Sequence, residues 1–141
     1  MRQLFIVILL ALCALPGLAQ DQNKDSSRGT TNKELLTRGK VFFVKSDTYF
    51  VKKEELEKGL VMNKDLERWG VQVTRNENEA DFVLMVKRAA FQNFFPYTVT
   101  DRYTGKIIFA GEPNSLFGTV PGKIADDIAG KLKAIYEGKE K

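Results

Sequence analysis

Histidine is absent from this 141-residue chain, and its single cysteine, Cys13, sits inside an N-terminal apolar run. Without imidazole, a Ser-His-Asp triad, a Cys-His pair and a histidine general base are all excluded. Zinc sites draw almost always on Cys and His, so no metal centre is expected, and nothing implies a cofactor. The phosphate-loop pattern GxxxxGK[ST] is missing, as is any Asn-x-Ser/Thr acceptor. Charge of one sign is scarce too. Lys and Arg number 22 against 18 Asp and Glu, a net +4, with no basic stripe, so nucleic acid is not an expected partner. What remains is an ordinary globular composition. With 43% hydrophobic and 11% aromatic residues, the chain can build a core, and its length suits one domain.

Met1 and Arg2 precede twelve apolar residues, Leu4 to Leu15, which Pro16 and Gly17 interrupt. Small residues at Gly17 and Ala19 complete the layout of a secretory signal peptide over 1–19, with cleavage after Ala19. A spanning helix needs roughly 20 apolar residues, so a retained anchor is the lesser alternative. Leu12 before Cys13 does not fit a lipid-modified cysteine. Cleavage removes Arg2 and Cys13 and leaves 21 basic and 18 acidic residues, net +3. The mature chain then has no thiol with which to form a disulfide. The expected location is periplasmic or extracellular, with no transmembrane segment after processing.

Gln20 to Lys33 carries no apolar side chain and cannot offset its ordering entropy, so residues 20–38 read as a flexible polar leader. A single domain follows over 39–138, with 139–141 as a tail. Val41 to Val44 is a short apolar run with strand composition. Lys53 to Trp69 has helical spacing through Leu56, Leu60, Met62, Leu66 and Trp69. Asn63 is placed to cap a second helical piece and Gly70 to stop it. Val71 to Thr74 alternates, and Phe82 to Val86 is wholly apolar and expected to be central. Tyr97 to Thr100 and Lys106 to Ala110 form a hairpin around Asp101 to Gly105. Thr119 and Pro121 open a last helix striped by Ile124, Ile128, Leu132 and Ile135. The order β-α-β-β-β-β-α predicts an α+β fold: a mainly antiparallel sheet of about five strands with two helices on one face. Thr98 and Thr100 fall on its wetter face.

Two segments carry a resemblance. Glu79-Ala80-Asp81 leads into the strand Phe82 to Val86, and Asp101-Arg102-Tyr103-Thr104-Gly105-Lys106 makes the hairpin turn. An Ala-Asp strand start followed by a D-x-x-T-G-K turn resembles small exported bacterial proteins of unassigned function. It is also similar to the α+β modules of envelope lipoproteins in the curli-assembly (CsgG-like) and TolB N-terminal groups, over roughly residues 40–136 by element order. The chain departs from them in having no lipobox cysteine and no pore-forming or propeller segment. The resemblance implies an envelope role and the fold class, and no catalytic residue.

Phe91, Phe94, Phe95 and Tyr97 crowd four aromatic rings into seven residues around Pro96. They read either as an apolar ledge for a partner or as core. Asp47, Asp81, Asp101 and Glu112 fall at strand ends, where a carboxylate pair can act as acid and base and where aspartate more often serves a turn. Asp101 and Glu112 bracket one hairpin strand. Lys45 and Ser46 are strand neighbours on opposite faces and cannot form a catalytic dyad; Ser115 has no lysine beside it. Phe117 to Lys123 offers glycines and a lysine at a helix start, a generic anion site or an ordinary cap. Lys40, Lys45, Lys52 and Lys53 are interspersed with Glu54, Glu55 and Glu57 as a mixed surface. The resulting expectation is a non-enzymatic exported module that binds another envelope protein or polymer at Phe91, Phe94, Phe95 and Tyr97. The alternative is a carboxylate-dependent hydrolase of an envelope polymer.

Overall fold

The computed structural model describes residues 30–87, 93–114 and 119–139. The expected signal peptide, Phe91 and Ser115 lie outside them. The fold begins earlier than composition implies. The Thr31 hydroxyl accepts from the Glu34 amide, and the Glu34 carboxylate accepts from the Thr31 amide, at the start of α1 (Asn32–Arg38). This reciprocal cap satisfies two orphan donors, and Leu36 is buried while Leu35 packs against the core. The flexible leader expected over 20–38 is therefore corrected at 32–38, where two adjacent leucines anchor a helix amid polar neighbours. Thr31→Ala is expected to cost about 1 kcal/mol. Urea denaturation would read the loss, with amide exchange quickening first at Leu35 and Leu36.

Next come β1 (Val41–Ser46), α2 (Lys53–Met62) and α3 (Lys64–Arg68). The Asn63 side chain accepts from the Asp65 and Leu66 amides and so divides the helical stretch in two, as its position suggested. Leu56, Leu60 and Leu66 are buried, but the break leaves Met62 68% exposed. Gly70 follows in the left-handed region at φ +70°, a conformation open to glycine without steric cost. β2 (Gln72–Thr74), a 3-10 turn at Glu77–Glu79, β3 (Phe82–Val86), β4 (Tyr97–Asp101), β5 (Ile107–Gly111) and α4 (Val120–Tyr136) complete the order.

The α+β class and the five strands agree with the sequence reading. Strand order is β2-β1-β3-β4-β5, with β3 central as expected. The sheet is mixed: β3, β4 and β5 form an antiparallel meander, while β1 runs parallel to both β2 and β3. Parallel neighbours need a crossover, which α2 and α3 supply between β1 and β2. The return from β2 to β3 steps back over β1, and a right-handed crossing in that direction belongs on the other face. Residues 75–81 take this route: Glu77 reaches Lys45 at 2.6 Å, and Lys45 alternates away from buried Phe42 and Val44.

Phe42, Val44, Phe82, Leu84, Val86, Tyr97 and Val99 point to the helical side and are buried with Ile124, Ile128, Leu132 and Ile135 of α4. The two longer helices, α2 and α4, pack on each other, and the short α1 and α3 both touch α4. The opposite face is less covered. Val41, Phe43, Val83, Met85, Thr98 and Thr100 are half-buried there, and Ile107 is exposed. A bulge opposite Val99 and Thr100 turns both Ile108 and Phe109 inward, as an extra residue in a strand permits. No helix among the described residues is long and apolar enough to cross a membrane.

Candidate functional site

The two segments that carry the sequence resemblance meet at one end of the sheet. Register sets Phe82 opposite Asp101, and the Arg102 amide donates to the Asp81 carbonyl at 2.9 Å. Asp81 thus starts β3 beside the end of β4. Its Oδ2 accepts from the Lys40 and Val41 amides at 2.8 and 2.9 Å, clipping the entry of β1 to the start of β3. Gly39 makes the approach possible, since a Cβ there would lie 2.7 Å from Asp81 Cβ and 2.9 Å from the Phe82 ring. Ala80, fully buried, leaves its carbonyl to Arg102 Nε at 2.7 Å. Asp101 does equivalent work in the hairpin, its Oδ2 accepting from the Thr104 amide at 2.8 Å and from the Thr104 hydroxyl at 2.5 Å. Gly105 sits at φ +70°, and the Lys106 ammonium donates to the Thr30 carbonyl at 2.9 Å.

Between α1 and this hairpin lies a cleft of about 640 Å³. Asp81, Asp101, Gly39 and Phe82 line it together with Arg38, Leu35, Tyr103, Thr104, Lys106 and Thr30. The Arg38 side chain has neither a hydrogen bond nor an ion pair among the described residues. Tyr103 is 71% exposed, with Arg102 lying 4.3 Å from its ring centroid. The cleft thus offers two fixed carboxylates, two cations, threonine hydroxyls and one accessible ring.

The expected aromatic ledge does not form as a unit. Phe95 and Tyr97 are buried, at 6% and 2% exposure, because with Val99 they occupy alternate positions facing the helices. Phe94 is half-buried and forms a bridge to Asn114, and Phe91 lies outside the described residues. Tyr97 donates to Asp127 Oδ2 on α4 at 2.7 Å. Gly111 leaves room for the pair, since a Cβ there would fall 2.5 Å from the Tyr97 ring and would also strike Asp127. Burial first, then the hydrogen bond and charge of Asp127, push the Tyr97 hydroxyl above the usual tyrosine range. A raised folded value means its stabilisation is complete below the unfolded value of about 10 and is lost as pH rises beyond it. The stability difference between wild type and Tyr97→Phe is therefore expected to shrink above about pH 10, read by urea titration of both proteins.

Of the strand-end carboxylates, Asp81 and Asp101 share the cleft. Asp101 and Glu112 do not converge: Asp101 ends β4 opposite Lys106, just before β5, whereas Glu112 follows the other end of β5, roughly 17 Å away along the strand. Asp47 belongs to the far end as well, its amide donating to the Val86 carbonyl. The lysines disperse. Lys45 pairs with Glu77, Lys53 approaches Glu57 at 3.7 Å, and Lys40 donates to the Tyr136 hydroxyl. Lys123 donates to the Asn114 carbonyl. Among the described residues no group of three acidic, Cys or His side chains is arranged to hold a metal.

Sequence reasoning missed Arg38, Leu35 and Tyr103. The Thr31-x-x-Glu34 box was the available signal for the first two, and an aromatic residue in a hairpin turn was the signal for the third. Comparison with known protein families, curated proteins and solved structures finds no match to this chain.

Proposed function

We propose that this protein is an exported, non-catalytic binding module of the cell envelope, and that it takes its partner, an envelope protein or polymer, into the end cleft. The observation that carries this reading is the cleft itself. It joins residues from α1, the β3 start and the hairpin, and its two aspartates are each engaged by backbone donors, Asp81 across the β1–β3 junction and Asp101 within its own turn. Export rests on the apolar run and small-residue site at 1–19.

The second reading, a carboxylate-dependent hydrolase, has in its favour that Asp81 and Asp101 share that cleft. The experiment is capture from isolated envelope fractions, with wild type and the doubly substituted Arg38→Ala/Tyr103→Ala protein side by side. Both residues are exposed, so the variant is expected to fold. Capture of one component by wild type and its loss from the variant is the expected result. Equal capture by both would reject the cleft. Release of new polymer ends that disappears in Asp81→Asn and Asp101→Asn would instead make the protein a hydrolase.

A further inference from the structure

Deepening that reading, and resting on it, we infer that the cleft takes a neutral polyhydroxylated ligand, a stretch of oligosaccharide, with one sugar ring against Tyr103. Size allows it, since about 640 Å³ falls inside the range of roughly 300–1,000 Å³ typical of small-ligand sites.

Charge narrows the class. Arg38 and Lys106 oppose Asp81 and Asp101 within the lining, so the formal charges of the lining side chains cancel and neither sign dominates among them. A phosphate or sulfate would meet two carboxylates that are held in place by the amides of Lys40, Val41 and Thr104. A polyamine would meet Arg38 and Lys106. Hydroxyl groups both donate and accept, so a sugar can use both kinds of partner within one small space.

The donors and acceptors are suited to this use. The hydrogen bonds to Asp81 and Asp101 fall on Oδ2 in each case, which leaves each Oδ1 without a donor among the described residues. Arg38 retains its full guanidinium fork, because no side chain or carbonyl among the described residues occupies it. Lys106 is held by a neutral carbonyl and by no carboxylate.

Tyr103 completes the match. Arg102 covers one face of its ring, and with 71% of the residue exposed the other face is open. The negative face of an aromatic ring attracts polarised C–H groups, which a pyranose presents on its flat side. Half-buried Leu35 adds apolar surface to the same lining.

The test is a ¹⁵N amide-shift titration of the purified protein with two neutral probes, maltohexaose and chitohexaose. Inorganic polyphosphate and spermidine serve as charged counterparts. The expected result is saturable shifts at Gly39, Tyr103, Thr104 and Lys106 with at least one hexasaccharide, and none there with either charged probe. Tyr103→Ala is expected to weaken that binding about fivefold to tenfold, and Arg38→Ala by at least about threefold. Absence of cleft shifts with both hexasaccharides at about 10 mM, a concentration that registers even millimolar affinity, overturns the inference. So do shifts confined to another surface, or cleft shifts with a charged probe alone. If Arg38- and Tyr103-dependent envelope capture persists in that case, the binding-module reading stands and only the ligand class falls. Cleavage of either hexasaccharide, abolished by Asp81→Asn, rejects the module reading itself.

Discussion

Asp81→Ala is expected to destabilise the protein by about 2–4 kcal/mol, because it removes one acceptor from two backbone donors together. The Lys40 and Val41 amides both depend on Oδ2 of this side chain, and they stand where β1 enters the sheet. Neither amide has a sheet neighbour ready to replace the carboxylate, so the loss falls on the β1–β3 junction. Asp81→Asn keeps an acceptor of the same shape and should recover more than half of the loss. Equilibrium denaturation of the three proteins tests this. A deficit below about 0.5 kcal/mol for Asp81→Ala, the range of ordinary surface substitutions, would contradict the clip.

Gly39→Ala should cost about 1–3 kcal/mol, as overpacking of a closed site commonly does. The backbone at Gly39 is extended, with φ −108° and ψ 144°, so alanine is conformationally acceptable there and the penalty is steric. The obstructing atoms are Asp81 Cβ and the Phe82 ring, neither of which is the free end of a flexible chain. Relief requires α1 to move away from the sheet. A crystal structure of a surviving variant is therefore expected to show a wider cleft, and denaturation to show the stability loss. Wild-type stability for Gly39→Ala would mean that the junction yields without cost.

Local chemistry was readable in the sequence where a side chain bonds its own neighbourhood. Asn63 divides two helices by accepting amides two and three residues on, and the Ile124, Ile128, Leu132 and Ile135 stripe of α4 is buried as its spacing requires. The Thr31–Glu34 cap was equally local, yet the polar residues around it drew attention away from Leu35 and Leu36. Phe95 and Tyr97 misled for a related reason. Taken with Phe91 and Phe94 they look like a cluster, whereas taken with Val99 they alternate as one strand face.

The cleft was not legible, because it is assembled from three separate stretches by strand register. Asp81 and Asp101 are twenty positions apart, and each looks like an ordinary turn residue in its own segment. The parallel pairing of β1 was hidden in the same way, since no turn sequence marks a strand that pairs across a crossover.

That placement of β1 also bears on the order in which the chain assembles. The β4–β5 hairpin closes over a few residues, with the Asp101 amide bonding the Lys106 carbonyl, and can form on a timescale of roughly microseconds. β1 instead waits for Phe82, its partner at Phe42, across an intervening segment that contains two helices and another strand. Such a closure loses entropy before any contact rewards it. Refolding is therefore expected to be governed by the docking of β1 between β2 and β3. Substitutions in β1 and in the hairpin that forms before it docks should both slow refolding, while those at contacts made after β1 docks should mainly hasten unfolding.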